Sequence, residues 1–287
     1  MYLSKRTERR IVLLMLVIFL LSIPNYSAFA GNDDSNIKEI GVYYIEDYDY
    51  SRVPSSIGTF DNLPNARTGP VAFYNALGTI GWTKLFCLGN DNVREKYFEK
   101  PSVGGADFST YGVDSADFAW FCGHGSPDAF WFGTNYGGDG NYPCRVHYSE
   151  AEWENEDLEW IVIDACQVLR YGSGFLPKWT SIFKGLRVIF GLHSIIPNRD
   201  DSDLMRVFVN CLKGGVPTYE AWHWATKSCL PPTCLGKGVY TAIMASIYPK
   251  SGASVGYQWE DYLPGHGSVS SDFDPVYGIG GAGQIES

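Results

Sequence analysis

Six short runs of continuous apolar residues constrain the fold more than any other feature of the chain. They are Ile40 to Ile45 (I-G-V-Y-Y-I), Trp82 to Leu88, Ala116 to Cys122 (A-D-F-A-W-F-C), Trp160 to Asp164 (W-I-V-I-D), Leu186 to Leu192 (L-R-V-I-F-G-L) and Tyr240 to Ile247. The first five read as strands, and the sixth fits either a strand or a helix. A strand that is apolar on both faces must be covered on both, which is the condition of a parallel sheet in an α/β protein. Segments of helical period lie between the runs. Val71 to Leu77 opens just after Pro70 and closes at Gly78; Asp203 to Lys213 and Thr218 to Lys227 follow. The order predicts a three-layer α/β/α sandwich on a mostly parallel sheet of about six strands. With no internal repeat or interdomain linker, residues 31–287 read as one domain.

Two stretches stand apart from this frame. Phe130 to Tyr142 is rich in Gly and aromatic residues and reads as a loop or hairpin, with Trp131 as a candidate cleft-lining contact. The end, from Pro264 on, reads as an extended strand followed by a frayed tail.

Residues 1–30 read as an address. Lys5, Arg6, Arg9 and Arg10 precede thirteen residues, Ile11 to Ile23, that are apolar except for Ser22; Ala28-Phe29-Ala30 then supplies small residues for a signal peptidase. The alternative is an uncleaved anchor, against which the apolar run is short of the roughly 20 residues that span a bilayer. Cleavage after Ala30 would place the chain outside the cytoplasm, secreted or at the cell surface, where disulfides are allowed. Hydrophobic residues at 45 % and charged residues at 19 % exclude intrinsic disorder. The net charge of −10 argues against a nucleic-acid partner, and loss of the leader makes the chain more acidic still. Oligomeric state is not legible.

Seven cysteines cannot all pair within one chain. Cys229 and Cys234 are close enough in sequence for a disulfide, Cys122 and Cys144 form a weaker candidate pair, and Cys87 and Cys211 read as buried thiols. Cys166 is the thiol expected to stay free.

The chemistry gathers at two strand ends. One apolar strand runs into Gly123-His124-Gly125-Ser126, another into Asp164-Ala165-Cys166-Gln167. Ligands of open parallel sheets collect at the carboxyl ends of the strands. His124 and Cys166 would therefore share one edge, on neighbouring strands if the order follows sequence. Imidazole beside a thiol is the pairing that makes sulfur nucleophilic near neutral pH. The glycines flanking His124 permit close backbone approach, and the N–H groups of Gly125 and Cys166 are candidates for an oxyanion hole.

A strand ending in His-Gly, followed by a strand ending in acidic-Ala-Cys, resembles the caspase–legumain–gingipain superfamily of cysteine peptidases, here as a secreted branch. Phe118 to Gly125 and Trp160 to Cys166 carry the resemblance, with Gly191-Leu192-His193-Ser194 at the end of the next strand. It implies a caspase-like fold, His124 as general acid and base, Cys166 as nucleophile, and a peptide or protein substrate without a cofactor. It also places Asp164 near the pocket for the side chain preceding the scissile bond, where its charge would favour Arg or Lys. Capping of a helix begun at Cys166 is the competing role for Asp164. Asp128 and Ser194 are further candidate cleft residues. Gln167-Val168-Leu169 departs from the small or polar residue and Gly that usually follow the nucleophile. That departure motivates an alternative, a catalytically inactive surface binding module on the same fold. Transpeptidation on the same dyad is a third reading. The five histidines show no zinc-ligand spacing, and Gly137-Gly138-Asp139-Gly140 holds too few carboxylates for calcium.

Overall fold

The computed structural model describes residues 38–48, 60–133, 144–153, 157–170, 178–234, 237–249, 255–257, 260–266 and 279–286. The leader, residues 134–142 of the aromatic loop and residues 267–278 of the tail lie outside them. Among the described residues no helix is long and apolar enough to cross a membrane.

The central sheet is built from β1 (Glu39–Tyr44), β2 (Thr83–Gly89), β3 (Phe118–Cys122), β6 (Trp160–Asp164), β7 (Val188–Leu192) and β10 (Tyr240–Pro249) in the order β2-β1-β3-β6-β7-β10. The first five are parallel, and β10 joins antiparallel to β7. Two outer strands, β11 (Val255–Tyr257) and β12 (Ile279–Glu286), pair antiparallel to β10. The run Tyr240 to Ile247 is therefore a strand, and the last residues of the chain are ladder rather than frayed tail. A ribbon of β4 (Ala129–Trp131) and β5 (Arg145–His147) forms from the aromatic stretch, and β8 (Thr233–Cys234) pairs with β9 (Lys237–Gly238).

The apolar runs feed two cores. Along β3, Phe118, Trp120 and Cys122 face one cluster, while Ala119 and Phe121 face the other. The first cluster is closed by α1 (Thr68–Gly78), α2 (Ser202–Lys213) and α3 (Thr218–Cys229). Each helix buries a stripe at helical spacing: Gly69, Phe73 and Leu77 on α1, Leu204, Met205, Phe208, Val209 and Leu212 on α2, and Ala221, Trp222 and Ala225 on α3. The opposite face is covered, among the described residues, by 3-10 turns and the β4–β5 ribbon instead of α-helices. Residues 90–115 are too rich in Gly, Ser, Asp and Pro to sustain a helix. Large aromatic side chains anchor that cover: Phe98, Phe130, Trp153 and Trp179 are fully buried, and Phe130 stacks on Trp179 at 5.6 Å. Phe130 and Phe132 are thus core residues, which leaves Trp131 as the partly exposed ring of the described part of that loop.

Candidate functional site

The β3–β6 ladder sets Phe118 opposite Trp160 and Cys122 opposite Asp164. The Gly123 N–H then donates to the Asp164 carbonyl at 3.2 Å, so both chains leave the sheet together. Beyond that point they remain packed on each other. A Cβ on Gly125 would lie 2.7 Å from the Ala165 Cβ, 2.8 Å from the Cys166 carbonyl oxygen and 2.9 Å from a Val168 methyl. Only glycine fits there. Cys166 to Leu169 form a turn rather than a helix, with Gln167 in the left-handed region at φ 63°. Its ends are tied to β7 and the loop after it. The Gln167 N–H donates to the Ser194 carbonyl (3.2 Å) and the Leu169 N–H to the Leu192 carbonyl (3.0 Å). Asp164 consequently caps no helix.

His124 and Cys166 line one cleft with about 430 Å³ of space, counting that open to solvent. Leu63, Ala66, Ile196 and Pro197 give it apolar walls. The imidazole is held by Phe60, stacked at 5.0 Å, and by Tyr48 at 4.6 Å; the Tyr48 hydroxyl also accepts the His124 backbone N–H at 2.8 Å. Nε2 lies 2.7 Å from the Asp61 carbonyl. A carbonyl can only accept, so Nε2 carries the proton and Nδ1 keeps the lone pair. Burial lowers the His124 pKa, against an opposing pull from Asp61. Burial likewise pushes the Cys166 thiol up, and Asp164 adds to that. The sulfur is 3.7 Å from the Ile196 carbonyl, and no hydrogen bond joins thiol to imidazole. Both groups rest neutral. The Gly125 N–H has no acceptor among the described residues, but Gly125 itself is not part of the cleft lining.

The other side of the cleft is a charge cluster that the sequence does not announce. Asp164 is buried beside Cys122 and Asp201, and burial together with the Asp201 charge raises it to about 8. Burial thus favours its neutral form, which weakens the charge that pairing with Arg or Lys would draw on. Asp201 precedes α2 at the N-cap position, yet its side chain does not cap; the Arg199 guanidinium grips Oδ1 through Nε (2.6 Å) and Nη2. Asp200 supplies the missing cap, accepting the Ser202 N–H at 2.9 Å. Arg199 Nη1 is buried with no hydrogen-bond partner among the described residues. Asn-Arg-Asp-Asp-Ser reads in sequence as an ordinary helix start, so nothing marked Arg199 and Asp201 in advance.

Two candidates fall elsewhere. Asp128 does not line the cleft; after Pro127 the chain turns back into β4, and Asp128 pairs with Lys178 at 2.8 Å in solvent. Ser194 does not line it either. Its hydroxyl accepts the Tyr240 N–H at 2.7 Å and fastens β10 to the end of β7. All seven cysteines are free thiols, Cys229 and Cys234 included. Cys87 is exposed rather than buried, because β2 is the edge strand of the sheet.

Fold and cleft define an α/β protein that presents a thiol and an imidazole from adjacent strand ends. The chain belongs to the family described as domain of unknown function (DUF6345), whose model matches residues 44–279. No curated protein matches it by sequence. Among solved structures it is similar to one titled "structure of pro-sf-caspase-1", with a TM-score of 0.41 and 11 % identity over 71 % of this chain and 84 % of that one. The fold stated above rests on the sheet order and packing of this chain itself.

Proposed function

We propose that this chain is an exported cysteine endopeptidase of caspase-like fold, with Cys166 as nucleophile and His124 as general acid and base. The observation that carries the reading is the convergence of the two residues, from adjacent strands in register, on one cleft. In this mechanism the Cys166 sulfur attacks the scissile carbonyl carbon while its proton passes to His124 Nδ1. The N–H groups of Gly125 and Cys166 receive the developing oxyanion. His124 then returns the proton to the leaving amine, and water releases the acyl group. Because both groups rest neutral, proton transfer accompanies attack instead of preceding it.

The cleft supports an uncharged polar side chain beside the scissile bond, an amide above all. Arg199 and Asp201 pair, and burial favours the neutral form of Asp164, which leaves this wall of the cleft close to charge balance. A Cys166→Ala substitution assayed on a peptide library tests the enzyme. Turnover that is lost in this variant and on thiol alkylation is expected. If wild-type protein turns over no peptide, the enzyme reading fails. The second reading is then the binding module, which the missing thiol–imidazole hydrogen bond favours. Export rests on the leader, and a secreted product beginning at Gly31 is its test.

A further inference from the structure

Tyr48 lies just past β1, is 2 % exposed, and packs against the imidazole of His124. Its hydroxyl has two separate partners. It accepts the His124 backbone N–H at 2.8 Å and donates to the Trp131 carbonyl at 3.3 Å. The Trp131 N–H in turn donates to the His124 carbonyl at 2.9 Å. His124, Tyr48 and Trp131 thus close a ring of hydrogen bonds that holds both backbone groups of the histidine. The glycine before the histidine belongs to the same arrangement, because a Cβ on Gly123 would lie 2.8 Å from the Tyr48 hydroxyl. The Tyr48 backbone is tied to the segment that carries Phe60 and Asp61. Its N–H donates to Asn62 Oδ1 at 2.9 Å, and the Leu63 N–H donates to the Glu46 carbonyl at 2.8 Å.

We propose that Tyr48 is a positioning residue for His124. Its hydroxyl holds the histidine backbone where Nε2–H meets the Asp61 carbonyl and Nδ1 keeps its lone pair. The catalytic consequence rests on the peptidase reading; the geometry does not. Without the hydroxyl, the His124 N–H and the Trp131 carbonyl each lose a partner beside a buried ring, and the backbone must shift to find others. The shift carries the imidazole with it, and Nε2 leaves the acceptor that selects its tautomer. Tyr48 follows a strand far from His124 in sequence, so no motif around the histidine reveals it.

Tyr48→Phe keeps the ring and removes only the hydroxyl. NMR shifts of the His124 ring nitrogens, read near neutral pH, should show a predominant Nε2–H form in the wild type and a mixture of tautomers in the variant. The variant's kcat per titrated thiol should fall about 10- to 100-fold, with KM within about twofold. A purely structural role would lower the melting temperature and leave the tautomer unchanged. An unaltered tautomer in the variant, or a wild type without a predominant Nε2–H form, overturns the assignment. If the variant does not fold, hydrogen exchange of the wild-type His124 amide decides. Protection supports the clamp, and exchange as fast as in an open loop overturns it. A tautomer that changes in a protein without turnover keeps the clamp and removes the peptidase reading. Full turnover in the variant with an unchanged tautomer does the reverse.

Discussion

Cys122 and Asp164 face each other across the β3–β6 ladder, and His124 and Cys166 each follow two residues later. The geometry of the candidate dyad is thereby set by sheet register, which cannot slip by one residue without exchanging the side chains that a strand sends to the two cores. The side chains at the ends can adjust; their spacing along the sheet cannot.

Gly125→Ala tests how tightly the two strand ends are packed. The added methyl would meet backbone and Cβ atoms of Ala165 and Cys166, which cannot swing aside like a long side chain. A loss of about 1–3 kcal/mol in denaturant unfolding is expected, with a disproportionate loss of turnover.

Gln167→Gly should act in the opposite sense. Gln167 sits at φ 63°, where a side chain is disfavoured and glycine is not. The variant should be more stable by about 1 kcal/mol, offset partly by the freedom glycine adds to the unfolded chain. A drop in melting temperature would show instead that the Gln167 side chain contributes a contact worth more than the strain.

Selectivity should depend on pH through Asp164. At neutral pH the cleft is balanced; as pH passes about 8, Asp164 ionises and the cluster becomes net negative. The ratio of cleavage after Arg to cleavage after Asn should therefore rise with pH. Asp164→Asn should remove that rise while keeping the neutral-pH preference. A ratio that is flat in the wild type between about pH 6.5 and pH 9 sinks the assignment.

Stability should fall as pH rises. Asp107 and Asp164 are held at about 8 and Asp117 at about 7, each chiefly by burial. The native state then holds more protons than the unfolded chain from about pH 4 upward, and stability present below that value is lost up to about pH 8. The lowered histidines oppose this only below their usual value, where the folded chain resists protonating them. Melting temperature should thus decline between about pH 6.5 and pH 8.5, and Asp107→Asn should flatten part of the decline. A rising curve over that interval contradicts the assignment.

The strands were legible because each is apolar on both faces, a pattern few other elements produce. Tyr240 to Ile247 stayed ambiguous since its pairing depends on β7, which lies far away in sequence. The second outer layer was illegible for a related reason. Its 3-10 turns carry no period, and what holds them is burial of single large rings such as Trp153 and Phe98. His124 and Cys166 were visible because glycine and strand context surround them. Arg199 and Asp201 were hidden inside a helix start, and only the fold turns their side chains toward the cleft. Asp128 misled because four residues of separation from His124 say nothing about the turn at Pro127.

The strand β12 has one more consequence, for chain integrity. It runs along the side of β10 away from β7 from Tyr240 to Ser246, so over these residues β12 and not β10 forms the sheet's margin. A protease that trims the chain before Ile279 would expose a row of unsatisfied amide and carbonyl groups. Such a margin is a template for strand addition between molecules. Loss of a few C-terminal residues should then appear first as self-association, before any change in the cleft at the sheet's other boundary.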